Sequence, residues 1–463
     1  MKRTLSAAAA IAWSLIVAGG AGRTGAQTPT TLVTNVTILD GRGSPPLTRA
    51  AVVIRDGEIA SVLSQDDTRP AAATTLDGRG GYLLPGFVDM HAHLLFPRCV
   101  AGADGSIFDR AVSERMLSTL LDFGITTVRS PATPTVPGLR LRDDLNAGRV
   151  RGPRAFASAE FINDPDLSPA ALRQVVLDAL PYRPDYFKVY SRLPPSSIST
   201  VVAEAHAHGI PVIGHLGRTS WLEGARLGVD ALTHAADWSI ETLPPAARSA
   251  YETALRTRSP VRARIDWLEL LDVSAEPVRA MADAIAQHGI SIDPTLVAFD
   301  ARFARPRGGR YATDPNVGIV PEMLSDWRAC TLITADWTAD DYRRWRAVYP
   351  KLQALTRVLR DRGVLLTTGT DLTNPWIIPG VSLHQEFELL SAAGFSAAEI
   401  LKMTGDNAAR ALRRTDIGVI APGRRADLVL LTANPLAAIR NTRRIAWVMQ
   451  GGRVARGSLN AEF

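Results

Sequence analysis

The sequence predicts an α/β fold in which a (β/α)₈ TIM barrel carries a small composite β-sandwich domain built from both chain ends. Residues 86–413 alternate short apolar runs with longer helical patterns, which is typical of repeated βα units. The two flanking stretches contain short alternating runs that end at tight-turn signals. Strands this short need a partner sheet, so we expect residues 27–85 and 414–463 to form one domain from which the barrel projects.

Eight apolar runs of the central stretch fit the strands of a closed barrel. They are residues 87–93, 125–129, 154–158, 186–190, 211–215, 230–234, 290–295 and 364–371. Several of the helical patterns between them end in a glycine, which can adopt the left-handed conformation that follows a helix. These glycines are Gly124, Gly209, Gly289 and Gly363. The strand ends then lie at the opposite rim, where barrel enzymes carry their catalytic residues.

The first 26 residues predict a secretory signal peptide. Lys2 and Arg3 precede an apolar run over residues 5–17, and the small residues at 24–26 suit a cleavage site. The run is short for a membrane span, although an uncleaved anchor stays open. We therefore expect a secreted or periplasmic protein with no stable membrane span in the mature chain.

Charge and cysteine content exclude some classes of function. Removal of Lys2, Arg3 and Arg23 with residues 1–26 lowers the formal net charge from +6 to +3. The remaining arginines are scattered and form no basic stripe, which argues against a nucleic-acid partner. Cys99 and Cys330 have no metal-type spacing, and they either pair as a disulfide or stay free thiols.

Two histidines separated by one residue end the first predicted strand. His91 and His93 face the same side if the run is extended, because side chains i and i+2 share a face of a strand. Two imidazoles that face one way can chelate a divalent metal. Four further ligand-type residues lie at or near the ends of later strands. They are Lys188, His215, His234 and Asp371.

Lys188 is unusual because it lies within an apolar strand. A free ammonium that points into the protein interior is costly, so its charge state must change or be compensated. Carboxylation by carbon dioxide would make it an oxygen ligand able to bridge two metals. The alternative is an ion pair with a carboxylate such as Asp371.

Three residues are candidates for contact with a substrate. Tyr190 shares a strand face with Lys188, and His384 follows the last predicted barrel strand. Arg129 ends the second strand, and its guanidinium could bind a substrate carboxylate. Packing or helix capping is the alternative for His384, and a structural ion pair is the alternative for Arg129.

A second pair of closely spaced histidines is not expected to bind metal. His206 and His208 fall in a helical pattern, where residues two apart point in different directions. We expect them, and also His288, to be residues at helix C-termini, where the helix dipole favours them.

Several motifs together resemble the amidohydrolase superfamily, and within it the imidazolonepropionase-like and binuclear Xaa-Pro dipeptidase (prolidase)-like branch. They are Pro-Gly-Phe-Val-Asp-Met-His-Ala-His (85–93), Gly-Ile-Thr-Thr-Val-Arg (124–129), Phe-Lys-Val-Tyr (187–190), Thr-Gly-Thr-Asp (368–371), Ser-Leu-His-Gln-Glu (382–386) and Gly-Arg-Arg-Ala-Asp-Leu-Val (423–429). Ser130 departs from the pattern, since members commonly have Asp after the arginine.

The resemblance implies two divalent metals, for which zinc suits the imidazole-rich ligands. One would be held by His91, His93 and Asp371. The other would be held by His215 and His234, with carboxylated Lys188 and a hydroxide bridging the pair. Asp371 would also be the catalytic acid and base.

The implied activity is hydrolysis of the amide bond of a small substrate, most simply a dipeptide or an N-acyl amino acid. Hydrolysis of a cyclic amide or lactone, or deamination, is the alternative on the same fold. A binding protein without catalysis is a weaker alternative, because a structural zinc site is usually closed by four ligands and lacks an acid/base partner. Homo-oligomerisation stays open.

Overall fold

The computed structural model describes residues 30–97, 108–303, 306–329 and 336–457. The predicted signal peptide, Cys99 and Cys330 lie outside these ranges, so the expectations about them stay predictions. Among the described residues, no helix combines the length and the apolar character that crossing a membrane requires.

The strands are numbered in chain order. They are β1 (Thr31–Ile38), β2 (Leu47–Arg55), β3 (Glu58–Leu63), β4 (Thr74–Asp77), β5 (Tyr82–Pro85), β6 (Phe87–Asp89), β7 (Phe96–Pro97), β8 (Phe108–Asp109), β9 (Ile125–Ser130), β10 (Arg154–Ala157), β11 (Phe187–Val189), β12 (Val212–Gly214), β13 (Ala231–Thr233), β14 (Ser291–Asp293), β15 (Leu365–Leu366), β16 (Leu428–Leu431), β17 (Ile445–Gln450) and β18 (Arg453–Arg456).

The helices are numbered in the same way. They are α1 (Arg110–Asp122), α2 (Thr135–Asn146), α3 (Pro169–Ala179), α4 (Pro195–Ala207), α5 (Trp221–Arg226), α6 (Pro245–Thr257), α7 (Pro260–Leu270), α8 (Glu276–Gln287), α9 (Leu296–Arg302), α10 (Pro321–Ala329), α11 (Ala339–Asp361), α12 (Val381–Ala392), α13 (Ala397–Lys402) and α14 (Ala408–Ala411). Short 3₁₀ turns lie at Leu180–Tyr182, Pro306–Thr313 and Ile439–Arg443, and a π-helical turn joins α13 to α14 at Met403–Asn407.

Strands from both ends of the chain share one sheet, in the order β18-β17-β16-β5-β1-β2-β3, with β4 beside β1. The junction is the antiparallel pair of β5 and β16, in which Leu84 lies opposite Val429. The inward residues of these strands, among them Val33, Val52 and Leu428, are fully buried in one apolar cluster. This burial of apolar area is what holds such short strands together.

The central strands are parallel and are connected by helices, which confirms the α/β class. One parallel sheet has the order β11-β12-β13-β14-β15, and a second has the order β10-β9-β6. Parallel bridges join the two sheets at both edges, from Ser158 to Tyr186 and from Ala92 to Leu372. These connections bring the carboxyl ends of the strands to one rim, which positions the site described below.

Local signals fix where several helices begin and end. A capping box of Thr338 and Asp341 starts α11, because the side chain of each residue bonds the backbone N–H of the other. The predicted left-handed glycines are confirmed, with φ between 67° and 82° at Gly124, Gly209, Gly289 and Gly363. The segment between β13 and β14 holds three helices, α6, α7 and α8, where a single helix would complete a βα unit.

Candidate metal centre

The His91–His93 segment follows β6 and is fixed by a buried carboxyl group. Asp89 is 1% exposed, and its Oδ1 accepts the backbone N–H of His91 at 3.0 Å and that of Thr370 at 3.1 Å. The backbone N–H of Asp371 donates to the carbonyl of His91 at 2.8 Å. The first and last of the predicted barrel strands are therefore held side by side at the rim.

The carboxylate of Asp371 faces both histidines of the first strand. Its Oδ1 lies 3.2 Å from Nε2 of His91 and 3.5 Å from Nε2 of His93. Burial alone would raise the pKa of Asp371, but the neighbouring histidines outweigh it and hold that pKa well below its usual value. Asp371 is therefore an ionised carboxylate, which is the form that binds a metal or accepts a proton.

His215 and His234 follow β12 and β13 and contact each other. Nε2 of His234 lies 2.9 Å from Nδ1 of His215, and Nδ1 of His234 lies 2.8 Å from Oγ1 of Thr295. Burial lowers the pKa of both imidazoles well below the usual value, so both are neutral at pH 7. Neutral imidazole is the form that coordinates metals.

Lys188 lies in the middle of β11 and is 2% exposed. Burial lowers the pKa of its amine to about 8, so the neutral amine is accessible near physiological pH. Both Lys188 and Asp371 lie in the described part of the chain, and no ion pair joins them there. Asp371 and Asp293 are nevertheless near enough to favour the charged amine, although burial outweighs them.

A carboxylate that the sequence analysis missed lies behind His91. Asp293 ends β14, and its Oδ2 accepts from Nδ1 of His91 at 2.5 Å while its Oδ1 accepts from Nη2 of Arg129 at 2.6 Å. The hydrogen bond between Nδ1 of His91 and Asp293 orients the His91 ring so that its Nε2 faces Asp371. Arg129 also donates from Nε to the carbonyl of Met90 at 2.8 Å and is 1% exposed. The substrate contact expected for Arg129 is wrong, and its alternative, a structural ion pair, is what the structure shows.

Replacement of Asp293 with asparagine is expected to destabilise the fold by about 3–5 kcal/mol, because the buried guanidinium of Arg129 loses its counter-ion. We also expect metal affinity to fall by about 10- to 100-fold, since His91 loses the group that orients it. Urea denaturation and metal titration measure the two effects.

The matched control for this variant is Asp283→Asn, which breaks the exposed ion pair between Asp283 and Arg362. It should cost at most about 1 kcal/mol. Equal stability losses in the two variants would contradict the role assigned to Asp293.

All six predicted ligand residues line one cavity of about 310 Å³. They are His91, His93, Lys188, His215, His234 and Asp371. Donor atoms of His91, His234 and Asp371 lie within 4.8 Å of one another. The other walls are largely aromatic, with Phe161, Trp238, Phe299 and Phe303, and they also include Tyr190, Arg264, Arg302 and Asn374. Four imidazoles, a buried lysine and an ionised carboxylate on one cavity are a donor set that fits divalent metal ions.

The remaining predicted residues fall in different places. Tyr190 reaches the cavity and stacks on His215, with ring centres 4.2 Å apart. His384 is fully buried away from it: its Nδ1 bonds Oγ1 of Thr442 at 2.9 Å and its Nε2 bonds the carbonyl of Phe123 at 3.0 Å. The substrate contact expected for His384 is wrong, because α12 turns this side chain toward Phe123, which ends α1 just before β9.

The second histidine pair is where the sequence predicted it. His206 lies in the last turn of α4 and His208 caps it. Nε2 of His206 lies 2.8 Å from a carboxylate oxygen of Asp230, and Nε2 of His208 lies 3.3 Å from one of Glu204. Neither residue lines the cavity.

Comparison with known proteins relates most of the chain to one family. The profile of the Amidohydrolase family matches residues 82–455. An imidazolonepropionase of Mycolicibacterium smegmatis is 49% identical over 65 residues, which is 14% of this chain and 16% of that protein. An enamidase of Eubacterium barkeri is 27% identical over 195 residues, or 38% of this chain and 47% of the relative. The chain thus matches less than half the length of either relative.

A solved structure extends the similarity across the fold. A Bifidobacterium longum protein assigned as a prolidase superposes with a TM-score of 0.67 at 22% identity, over 92% of this chain and 95% of that one. At this identity the likeness concerns the fold.

Proposed function

The chain belongs to the amidohydrolase family, and on that premise we propose that it is a binuclear metal-dependent hydrolase of the amide bond of a small substrate. Its relatives in that family act on carbon–nitrogen bonds. The observation that supports the proposal is the convergence of four histidines, Lys188 and Asp371 on one cavity.

The proposed ligands divide into two sets. His91, His93 and Asp371 would hold one metal, His215 and His234 would hold the other, and carboxylated Lys188 would join them. Bound divalent cations, zinc being our first choice, would supply Lewis acidity toward a carbonyl oxygen and hydroxide at neutral pH. Burial and the lowered pKa of Lys188 support carboxylation, which needs the neutral amine.

The chain's own residues would then carry the proton and hold the substrate. Ionised Asp371 would accept a proton at a carboxylate oxygen and transfer it to the leaving nitrogen. Tyr190 would donate a hydrogen bond to the substrate from its phenol. The aromatic walls would pack on an apolar group and exclude water from the reacting bond.

The substrate that we favour is a dipeptide or an N-acyl amino acid. The prolidase-like fold neighbour supports this class, and the cavity volume suits a molecule of that size. A second candidate is ring opening of a cyclic amide, which the matches to imidazolonepropionases favour.

We extend the proposal to architecture and location. The two parallel sheets and their bridges support a closed (β/α)₈ barrel over residues 86–413, and the shared sheet supports a composite β domain of residues 27–85 and 414–463. The β-sandwich form of that domain and export through cleavage of residues 1–26 complete the proposal. N-terminal sequencing of the exported protein tests the cleavage.

The function is tested by metal analysis and a substrate panel. We expect two metals per chain, loss of activity on treatment with a chelator, and recovery when zinc, manganese or cobalt is restored. The panel pairs linear substrates, Xaa-Pro dipeptides and N-acetyl amino acids, with cyclic amides such as hydantoins. Turnover of the cyclic class alone would favour the second candidate. Full activity in metal-free protein would refute the proposal.

A further inference from the structure

Two arginines of the cavity wall have no role in the chemistry described so far. Arg264 lies in α7, one of the helices between β13 and β14, and Arg302 is the last residue of α9. Both line the cavity that His91, Lys188 and Asp371 share. Two cations beside a candidate dimetal centre would make the cavity strongly attractive to an anion.

Neither arginine has an acidic partner within the described residues. Arg264 makes no hydrogen bond or ion pair there, and its guanidinium carbon lies 5.2 Å from the centre of a Trp238 ring. Arg302 donates from Nη1 to Oδ1 of Asn374 at 2.8 Å, but its Nε is buried and has no hydrogen-bond partner. Each guanidinium therefore retains N–H donors that no described protein group satisfies.

Other arginines close in sequence to Arg264 and Arg302 do have acidic partners. Arg262, two residues earlier on α7, pairs with Asp341 at 3.1 Å. Arg310 pairs with Asp300 at 2.7 Å, and Tyr311 donates to the same carboxylate. Arg262 and Arg310 lie outside the cavity lining and have carboxylate partners, whereas Arg264 and Arg302 line the cavity and have none among the described residues.

The surroundings of Arg264 and Arg302 lower the pKa values of both guanidinium groups. Burial lowers the pKa of Arg302 to about 10 and also lowers the pKa of Arg264. Both guanidinium groups nevertheless stay charged at pH 7. An unpaired buried charge is expensive, and an anion that enters the cavity would remove that cost.

Arg302 is held next to the candidate metal centre. The Asn374 amide that accepts from Arg302 also donates from Nδ2 to the backbone carbonyl of Asp371, at 2.9 Å. Since Asn374 links Arg302 to the backbone of Asp371, a group bound by Arg302 would lie near the candidate metal centre. The fork of a guanidinium matches the two oxygens of a carboxylate.

We propose that Arg264 and Arg302 bind a free carboxylate of the substrate, which selects N-acyl amino acids and dipeptides over neutral amides. This inference rests on the proposed function and deepens it. The sequence suggested Arg129 as the residue that binds a substrate carboxylate. We assign that role instead to Arg264 in α7 and Arg302 in α9. Tyr190, which lines the same cavity, would complete the contact with a phenolic hydrogen bond.

The test uses metal-loaded protein and matched substrate pairs that differ only in charge. N-acetyl-L-leucine and N-acetyl-L-leucinamide head a panel of acyl amino acids and their C-terminal amides. Arg264→Gln and Arg302→Gln should each lower kcat/KM for the acids by about 10- to 100-fold, mainly through KM, because each removes a charged hydrogen bond. Turnover of the amides should stay low and unchanged.

Two further variants complete the design. Arg256→Gln on α6 is the control, because this exposed arginine contacts only the Thr253 hydroxyl among the described residues. Arg264→Lys keeps the positive charge but loses the paired N–H groups that match the two oxygens of a carboxylate. This variant replaces Arg264→Gln in the test if the glutamine variant does not fold. Metal content of every variant should equal that of the unmodified protein.

A binding measurement separates this inference from the proposed function. Thermal stabilisation by N-acetyl-L-leucine, absent with the leucinamide and lost in Arg302→Gln, would support the carboxylate site even if neither compound were hydrolysed. Equal turnover of acids and amides, with no change in the arginine variants, would overturn it and leave the hydrolase intact. Stronger stabilisation by phenyl phosphate than by any acyl amino acid would also overturn it.

Discussion

Replacement of Asp371 with asparagine is expected to lower kcat by about 10²- to 10⁴-fold, the usual contribution of a positioned acid or base. The asparagine amide keeps the shape of the side chain but cannot accept the proton that the ionised carboxylate accepts. It also replaces the oxygen that lies 3.2 Å from His91 with a weaker metal ligand. Steady-state kinetics, circular dichroism and metal content should be measured together.

The control for this prediction is Asp166→Asn, because Asp166 is exposed and lies outside the cavity. It should leave kcat within a factor of about two, as surface substitutions usually do. If Asp371→Asn turned over at a near-normal rate with its metals in place, the proton transfer assigned to Asp371 would be refuted. Loss of metal together with activity would instead assign the residue to coordination.

Replacement of Lys188 with alanine is expected to lower kcat at least as much as Asp371→Asn does, but through weaker metal binding. If the carboxylated lysine joins the two metals, the variant should bind fewer than two metals per chain. Added formate or acetate should restore part of the activity, since a free carboxylate can occupy the vacated space and supply the missing oxygens. Lys402→Ala on α13 is the control, because it lies away from the cavity.

Mass spectrometry under non-denaturing conditions measures independently whether Lys188 is carboxylated. The unmodified protein should carry the added mass of one carbon dioxide, and the Lys188→Ala variant should not. Retention of both metals in Lys188→Ala, with no effect of formate, would show that the lysine does not bridge them. The buried amine would then need another explanation.

The convergence of the proposed ligand residues on one cavity could be predicted from the sequence because most of them come after a short apolar run. His91, His93, His215, His234 and Asp371 are recognisable from position alone, and parallel pairing brings such positions to one rim. The strands themselves are shorter than predicted: the eighth run covers residues 364–371, but β15 is only Leu365–Leu366. Residues 367–371 have no regular secondary structure and end at Asp371, and a pattern of apolar residues cannot distinguish such a segment from a strand.

The residues that sequence reasoning missed depend on what lies opposite them in space. Asp293 is the last residue of a short buried strand, and only the structure shows that His91 and Arg129 both contact its carboxylate. Arg264 and Arg302 lie on helices with other arginines nearby, and no spacing separates them from paired ones. The prediction that His384 contacts the substrate was wrong for a related reason. The orientation of α12 about its axis decides where the side chain points, and it points toward the carbonyl of Phe123.

The shared sheet also has a consequence for the order in which the chain folds. β5 lies between β1 and β16, and its pairing with β16 joins Leu84 to Val429 across the whole central α/β segment. During synthesis, one edge of β5 stays unpaired until the ribosome has released β16, and closing so long a loop is slow. The parallel strands between them can associate earlier, because most of their pairings join neighbouring βα units. Completion of the terminal sheet is therefore a late step of folding, and until then an apolar edge is open to self-association.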